Sequence, residues 1–279
     1  MDLYNKIAVK TSKYVTKSYS TSFSLGILVF ASAYKDAIYS IYGFVRLADE
    51  IVDTFHKYDR KKMFSEFREE TEKALSEGIS TNLILHAFQK VVNDYKIDKA
   101  YIDAFLDSME MDLHNNYYER DHYNRYIYGS AEVVGLMCLK VFCEKDEKLF
   151  NELIGPAKSL GSAFQKVNFL RDVKSDMEER GRIYLPSVKE RILMNDENKA
   201  KLEAEIESEF ADAFKGIKKL PAGVKFGVYS AYLYYQMLFR KIRNLRIEEL
   251  MKRRVRISNF AKLILMIKSL IEVKFLRIT

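Results

Sequence analysis

Proline and cysteine are scarce in this chain, with only three prolines and two cysteines among 279 residues. With 48% hydrophobic residues and so little proline, neither a disordered chain nor an all-β fold rich in turns is expected. The length is enough for one large domain or two small ones, each able to bury a core.

The two cysteines, Cys138 and Cys143, lie five residues apart inside a helical pattern. This spacing suits neither a zinc site nor a disulfide framework, and ordinary buried thiols in a reducing cytoplasm are expected instead. Histidine offers no better metal site, because no HExxH motif occurs. The four histidines are scattered along the chain: His56, His86, His114 and His122.

Long hydrophobic runs and an apolar leader are also missing. The longest apolar runs, near residues 25–34 and 227–239, are shorter than the ~20 residues that a membrane-spanning helix needs. The first residues, MDLYNKIAVKTSKYV, are polar and develop no apolar core of the kind that a signal peptide has. The sequence therefore predicts a cytoplasmic protein without a membrane span.

Positive charge is concentrated at one end of the chain. Residues 240–279 contain 12 Lys/Arg and three Asp/Glu, a net charge of +9, whereas the first 239 residues contain 34 basic and 36 acidic residues. A basic end attracts phosphate groups, nucleic acid or an anionic membrane surface, although a solvated helix face is the commoner explanation. No nucleic-acid-binding signature accompanies it, so nucleic acid is not an expected partner.

Within that end, residues 260–279 combine an apolar stripe with Lys262, Lys268, Lys274 and Arg277. The pattern fits an amphipathic helix that makes peripheral contact with an anionic membrane, at its inner face. It fits equally well a core helix with a basic outer face, so both interpretations stay open at this point.

Helical periodicity runs through almost the whole chain. Apolar residues recur at spacings of three and four in six segments, namely 36–56, 80–92, 98–117, 146–177, 199–217 and 224–250. Breaks are predicted at 76–82, 144–148, 181–187 and 218–223. Pro156 follows Gly155 and is expected at an early helical position rather than inside a helix. With no repeat and no long linker, a single all-α domain over residues 1–279 is predicted.

An unusual acidic segment, FVRLADEIVDTF (44–55), interrupts one of these apolar patterns. Asp49 and Asp53 are four residues apart and so share one helix face, which Arg46 joins from three residues upstream. Carboxylate oxygens are hard ligands that suit Mg²⁺, whose shell is commonly completed by water and substrate phosphate. On this segment alone, an exposed Arg–Asp salt bridge explains the pattern equally well.

A second segment, QKVNFLRDVKSDMEERGRIYLP (165–186), favours the metal interpretation. Its polar residues follow one another at steps of three, four and four and form one stripe: Gln165, Asn168, Asp172 and Asp176. Such a stripe should line a cavity rather than a packed core, and Arg171 adds a cation where a phosphate would approach. Two acidic helices, each with an arginine, suggest a clamp for Mg²⁺ and diphosphate. The glycine-rich loops of nucleotide enzymes do not occur.

Taken together, these residues resemble the squalene and phytoene synthase family of head-to-head prenyl transferases. The resemblance rests on RLADEIVD, on the long 165–186 segment and on three further stretches: TSFSLG (21–26), AIYSIYGFVR (37–46) and YGSAEVVG (128–135). Weaker similarity extends to YYQML (234–238) and RVRISNFAKL (254–263). The match covers nearly the whole chain.

The resemblance implies an isoprenoid synthase fold, a single helical domain around a central cavity, and dependence on Mg²⁺, with Mn²⁺ as an alternative. The implied metal ligands are Asp49, Glu50, Asp53, Asn168, Asp172 and Asp176. The implied substrate and diphosphate contacts are Ser20, Thr21, Ser22, Phe23, Tyr42, Arg46, Gln165, Arg171, Tyr234 and Arg254. The acids Asp49, Asp53, Asp172 and Asp176 with Arg46 and Arg171 form the implied catalytic set.

The implied reaction condenses two prenyl diphosphates through a cyclopropylcarbinyl diphosphate. The motifs are more similar to those of phytoene synthases, so geranylgeranyl diphosphate as substrate, phytoene as product and no use of NADPH are expected. A farnesyl-using synthase of squalene, dehydrosqualene or presqualene diphosphate is the alternative. A downstream desaturase is a candidate partner. The rival hypothesis is a non-catalytic basic helical protein that docks on membranes or nucleic acid, in which Asp49 and Asp172 matter only for stability.

Overall fold

The computed structural model describes residues 1–114, 119–179, 181–184 and 195–274, without the side chains of residues 21–23 and 259. In these ranges the chain is helical throughout and forms no extended β-strand, which confirms the predicted all-α class. The α-helices are α1 (Asp2–Tyr19), α2 (Thr21–Leu28), α3 (Ser32–Asp53), α4 (Arg60–Glu77), α5 (Leu83–Tyr95), α6 (Lys99–Met111), α7 (Arg120–Ile127), α8 (Val133–Cys143), α9 (Glu147–Glu178), α10 (Asp196–Lys219), α11 (Ala222–Arg243), α12 (Ile247–Leu250) and α13 (Asn259–Lys274).

Helix α3, which carries the first acidic motif, is anchored by aromatic packing. Phe44 stacks on Phe88 of α5 with ring centroids 3.9 Å apart, and Phe67 and Phe105 lie beside it. Phe44 is fully buried. Burial of such large rings stabilises the helix position strongly. The acidic end of α3, five to nine residues further along, is therefore held by a rigid core.

Two glycines allow the helix before α9 to lie very close to its neighbours. A π-helical turn (Tyr128–Glu132) joins α7 to α8. A Cβ on Gly129 would lie 2.2 Å from the carbonyl oxygen of Ala104, and one on Gly161 would lie 2.6 Å from that of Ala131. Any larger residue would push these backbones apart. The close approach fixes α9, the second acidic helix, against the body of the domain.

The same continuous helix, Arg120–Cys143, is long and apolar enough to cross a membrane by length and composition alone. No membrane-spanning segment is predicted here from the sequence, because polar residues interrupt the apolar ones and no unbroken apolar run forms. In the folded chain 61% of the most apolar stretch of this helix is buried inside the domain. The helix thus resembles the core helix of a globular protein.

Two expectations about helix boundaries are wrong. Pro156 lies inside α9, ten residues into the helix, rather than near a helix start. Its ring packs against Gly216 of α10, where a Cβ would come within 2.3 Å of the proline Cβ. The helix predicted over 224–250 is interrupted, because α11 ends at Arg243 and α12 begins at Ile247. Asp196 accepts a hydrogen bond from the Ile247 amide at 2.9 Å, a distant contact that local periodicity does not reveal.

Both cysteines are free thiols, as predicted. Burial raises the pKa of Cys138 to about 12 and, together with the nearby Asp146 carboxylate, that of Cys143 to about 11. Both thiols therefore stay protonated at neutral pH and are unreactive.

Candidate active site

The first acidic motif forms a compact ion-pair group at the end of α3. The Arg46 guanidinium donates to Asp49 with one nitrogen and to Glu50 with the other. The central carbon of the guanidinium, Cζ, lies 4.3 Å from the centroid of the Tyr19 ring. Burial alone would lower the pKa of Arg46, but the two carboxylates more than offset it, and the pKa is raised. Glu50 thus shares its cation with Asp49.

Asp53, expected to act with Asp49, has a different arginine partner. Arg182 donates to the Asp53 carboxylate at 2.7 Å and to the Val52 carbonyl at 3.3 Å. The spacing of Asp49 and Asp53 predicts that they share one helix face. In the structure Asp49 pairs with Arg46, whereas Asp53 pairs with Arg182.

The second acidic motif lies along α9. Arg171 donates through Nε to the neighbouring Asp172 carboxylate at 3.0 Å, and Arg254 approaches the same carboxylate to 2.6 Å. Burial would lower the pKa of Arg171, but Asp172 outweighs it and raises that pKa, so the side chain stays charged. Arg254, predicted to contact diphosphate, is therefore placed at the second motif although it lies 82 residues from Asp172.

Asn168 and Gln165 occupy the preceding turn of α9. The Asn168 amide nitrogen lies 3.5 Å from the Gln165 side-chain oxygen, and Asn168 accepts a hydrogen bond from the Tyr235 hydroxyl at 3.2 Å. The Tyr235 ring stacks on Phe164 with centroids 3.9 Å apart. The predicted substrate residue Tyr234 makes a T-shaped ring contact with Tyr235 and lies close enough to Arg171 to help raise the pKa of that arginine. Lys262 lies 5.6 Å from the centroid of the Tyr234 ring.

Tyr42 connects α3 with the start of α2. Its hydroxyl shares a hydrogen bond with Ser20, the residue between α1 and α2. Burial is the main cause of its raised pKa, and Tyr235 of α11 lies close enough to add to that effect. Tyr42 and Ser20, both predicted substrate contacts, are therefore together. The other three predicted contacts there, Thr21, Ser22 and Phe23, have side chains outside the description.

Arg182 joins the two acidic helices. Its backbone amide donates to the carbonyl of Asp176 at 2.8 Å, at the end of α9, while its guanidinium reaches Asp53 on α3. The Arg182 side chain is only 4% exposed. Burial would lower its pKa, but Asp112 and Asp53 outweigh burial and raise it. The cation therefore persists in a buried position, where it holds both motifs together.

Asp112 is the central acceptor beneath this arginine. It accepts hydrogen bonds from the hydroxyls of Tyr126 and Tyr184, each at 2.8 Å, and lies 3.5 Å from Arg182. Burial and the neighbouring Asp112 raise the pKa of Tyr184 well above its ordinary value, with Asp53 and Asp176 adding to the effect. A negative charge that receives three donors is well compensated despite burial.

Sequence reasoning did not assign Asp112, Tyr126, Arg182 or Tyr184. Arg182 and Tyr184 belong to the GRIYLP stretch, whose resemblance to the family indicates no role for either residue. Asp112 lies two residues before the polar segment 114–126, and Tyr126 is the last residue of that segment. Residues 120–126 belong to α7, and residues 115–118 are outside the description. No local spacing predicts these contacts, because Asp53 and Arg182 are 129 residues apart.

The donor types present suit a hard divalent cation. Carboxylate and amide oxygens are the groups that Mg²⁺ prefers, and the predicted ligands supply both. Within the described ranges, however, no three Asp, Glu, His or Cys side chains converge closely enough to hold a metal ion. Four of the acids, Asp49, Glu50, Asp53 and Asp172, are instead paired with arginines, so the residues fit Mg²⁺ in chemistry while the partners of these four are cationic side chains.

A pocket of about 420 Å³ opens on another side of α9 and is lined by none of the predicted site residues. Its walls come from α7, the π-helical turn, α9 and α10 and include Lys166, Glu205 and Glu209. Lys166 pairs with Glu205 at 2.9 Å and with Glu209 at 2.6 Å. This pocket is thus separate from the two acidic motifs.

Comparison with known proteins gives matches in both sequence and fold. The family described as squalene/phytoene synthase matches residues 16–189. The chain is 26% identical over 245 residues to the chloroplastic phytoene synthase of Daucus carota, covering 82% of this chain and 61% of that protein. It is 28% identical over 177 residues to the 4,4'-diapophytoene synthase of Staphylococcus haemolyticus, covering 61% of this chain and 59% of that protein.

The fold is shared with a solved dehydrosqualene synthase in complex with a ligand. The TM-score is 0.81 at 19% identity, and the alignment covers 97% of this chain and 98% of the other. The chain spans about three fifths of the length of the curated relatives that it matches first. Since the family match includes both acidic motifs and more than half of the residues, the chain belongs to the squalene/phytoene synthase family of prenyltransferases.

Proposed function

We propose that the protein condenses two molecules of geranylgeranyl diphosphate head to head, through prephytoene diphosphate, to phytoene. Two diphosphates leave and the product enters carotenoid biosynthesis. The observation that carries this proposal is the linkage of two Asp- and Arg-containing motifs through Arg182, which touches Asp53 on α3 and Asp176 on α9. Anionic substrates with a divalent cation suit such alternating charges.

The acids of both motifs are the proposed metal ligands. Asp49, Glu50 and Asp53 would serve from α3, and Asn168, Asp172 and Asp176 from α9. When bound, Mg²⁺ would neutralise charge on a diphosphate and make it a better leaving group. The arginines that now hold the acids, Arg46, Arg171 and Arg254, are proposed to bind diphosphate oxygens once substrate arrives, which frees carboxylate oxygens for the cation.

Several side chains are proposed to orient the two substrates. Ser20 and Tyr42, already hydrogen-bonded to each other, would contact one diphosphate together with residues 21–23. Gln165 and Tyr234 are proposed to contact the substrate at the second motif. Phe164 and Tyr235, whose rings stack on each other beside the second motif, are proposed to stabilise a carbocation, because the π systems of aromatic rings attract cations.

The chemistry balances without a redox partner. One substrate loses diphosphate, its C1 cation is trapped by the double bond of the other, and one proton leaves as the cyclopropane forms. The second diphosphate then departs, the skeleton rearranges and a second proton leaves, so that phytoene forms without reductant. Squalene would instead require hydride from NADPH at the last step, which makes reductant dependence diagnostic.

A farnesyl-using reaction is the second candidate. It is favoured by the similarity to a 4,4'-diapophytoene synthase and by the fold shared with a dehydrosqualene synthase. The phytoene synthases among the relatives, at 26% and 29% identity over 82% of the chain, favour the longer substrate.

The test is incubation of the purified protein with Mg²⁺ and either farnesyl or geranylgeranyl diphosphate, with and without NADPH, followed by mass-spectrometric product analysis. We expect phytoene from geranylgeranyl diphosphate without NADPH, and no product after a chelator removes the metal. A C30 product formed only from farnesyl diphosphate would replace the first candidate by the second. Absence of any condensed product from either substrate would overturn the proposal.

A further inference from the structure

Helix α13 carries its apolar residues on the side that faces solvent. Six large hydrophobic side chains of this helix are exposed: Phe260, Leu263, Ile264, Ile267, Leu270 and Ile271. Phe260 is 73% and Ile267 is 50% exposed. Their spacings of three and four place them in one continuous stripe, which we call the outer stripe.

The opposite face of α13 is fixed to α11 by polar contacts. The Ser269 hydroxyl is fully buried and lies 2.6 Å from that of Ser230, and Tyr229 donates to Glu272 at 2.8 Å. Leu265 adds an apolar contact on the same face and is 7% exposed. Rotating the helix to bury the outer stripe would expose Leu265 and break both hydrogen bonds. The outward orientation of the stripe is therefore specified by the sequence itself.

This orientation decides between the two interpretations that the sequence left open for residues 260–279. A core helix with a basic outer face would bury its apolar stripe and expose its lysines. In the structure the exposed face is mainly apolar, with Lys268 at its edge, so the core-helix interpretation is wrong for the described part, 260–274. A contiguous exposed apolar surface normally marks an interaction site.

Charge indicates which partner fits. Between Arg240 and Lys274 there are 11 basic and three acidic residues. Lys252, Arg253 and Arg256, just before α13, are exposed. A second copy of this chain would bring two strongly basic segments together, which is unfavourable. An anionic lipid surface complements both features, because lipid headgroups attract the basic residues and acyl chains accept the apolar side chains.

We propose that α13 is a membrane-docking helix, which lies in the plane of an anionic bilayer with its outer stripe among the upper acyl chains. The exposed basic residues Lys252, Arg253, Arg256 and Lys268 would face the headgroups. The helix would then hold the protein at the surface without crossing it. This assignment depends only on the surface of α13 and does not rest on the proposed reaction.

Flotation with vesicles tests this directly. The full chain is mixed with phosphatidylcholine vesicles, with or without phosphatidylglycerol, and the floated fraction is measured. We expect binding to the anionic vesicles that weakens with added salt. The affinity of the variant Ile264→Gln/Ile267→Gln for anionic vesicles should be at least about tenfold lower, because two apolar side chains no longer enter the bilayer.

The matched control changes two exposed apolar residues of other segments, Tyr58→Gln/Ile79→Gln, and should float like the parent protein. Far-UV circular dichroism and thermal melting verify that both variants stay folded. Equal flotation of both variants, or failure of the parent chain to bind anionic vesicles, would overturn the proposal. Sedimentation would also overturn the proposal if the parent chain were a dimer and only the variant Ile264→Gln/Ile267→Gln were a monomer. Activity on detergent-dispersed substrate, measured in parallel, keeps this result separate from the proposed reaction.

Discussion

Helix α9 carries charged residues on two faces that differ in how their charges are compensated. On one face Lys166 is 8% exposed and is enclosed by Glu205 and Glu209 of α10, while Ser162 donates to Glu209 at 2.7 Å. On the other face Asp172 is held by Arg171 and by Arg254, whose side chain is 48% exposed. The first group joins side chains of α9 and α10, and Arg120 of α7 also pairs with Glu205 at 2.7 Å. The second draws its cations from separate segments.

This difference separates a structural from a functional arrangement of charges. Lys166 is almost fully buried and pairs with two glutamates, so its removal should lower the stability of the fold. An acid whose arginine partners are partly exposed can change partners when a diphosphate and a cation arrive. The two faces of α9 should therefore fail in different ways when they are mutated.

The largest expected effect is the loss of turnover in Asp172→Asn. Asparagine keeps the shape but removes the negative charge that is proposed to bind the cation, so we expect diphosphate release to fall about a thousandfold. Released diphosphate, measured with a coupled assay, reports the loss, and circular dichroism checks that the helical fold is kept. Turnover close to that of the parent would contradict the metal-binding role and favour the rival hypothesis of a non-catalytic protein.

A smaller effect of the opposite kind is expected for Lys166→Met. Without its cation, the buried carboxylate of Glu209 is left uncompensated, which should cost about 3 kcal/mol of unfolding free energy. Urea unfolding measures this cost, and Lys166→Arg, which keeps the charge, is the matched control. Turnover per folded molecule should be unchanged at low temperature. A large drop in turnover of the folded variant would show that both faces serve the reaction.

The smallest effect should separate the two glutamates that share Lys166. Burial would raise the pKa of Glu205, but Lys166 and Arg120 outweigh it and lower that pKa. Its carboxylate therefore contributes stability above its unfolded pKa, and this contribution is lost as pH falls through the folded pKa. Burial raises the pKa of Glu209, so folding disfavours its charged form and stability declines as pH rises through that window.

We therefore expect Glu205→Gln to be less stable than Glu209→Gln at neutral pH. The difference should be about 1 kcal/mol or less, because Glu205 is partly exposed and its interactions are screened by solvent. Urea unfolding at about pH 7 and about pH 4 measures it, and the difference should shrink at the lower pH. Equal stability at both pH values would show that Lys166 does not distinguish the two acids.

Local pattern predicted the helices and the spacing of both acidic motifs well. It failed where a contact joins distant segments. The stripe of Asn168, Asp172 and Asp176 follows from the 3.6-residue periodicity of one helix. The hydrogen bond between Arg182 and Asp53 joins residues 129 positions apart in the sequence, so it depends on tertiary packing. Tertiary packing also decides helical phase, which is why Tyr235 rather than Tyr234 bonds to Asn168.

The same limit applies to α13 and to Pro156. Periodicity revealed an apolar stripe in α13 but could not say whether the stripe faces α11 or solvent, since that depends on Ser230 and Tyr229 as partners. Propensity places proline near a helix start, yet the missing side chain of Gly216 on another helix makes room for Pro156 inside α9.

The contact of Arg182 with Asp53 also has a consequence for the order of folding. Closing a loop of 129 residues costs entropy that is not regained until both helix ends are already in position. Local helices form first, and contacts between remote segments form later. The two acidic motifs therefore become joined only near the end of folding, and a nascent chain that has not yet emerged beyond residue 182 has no completed site.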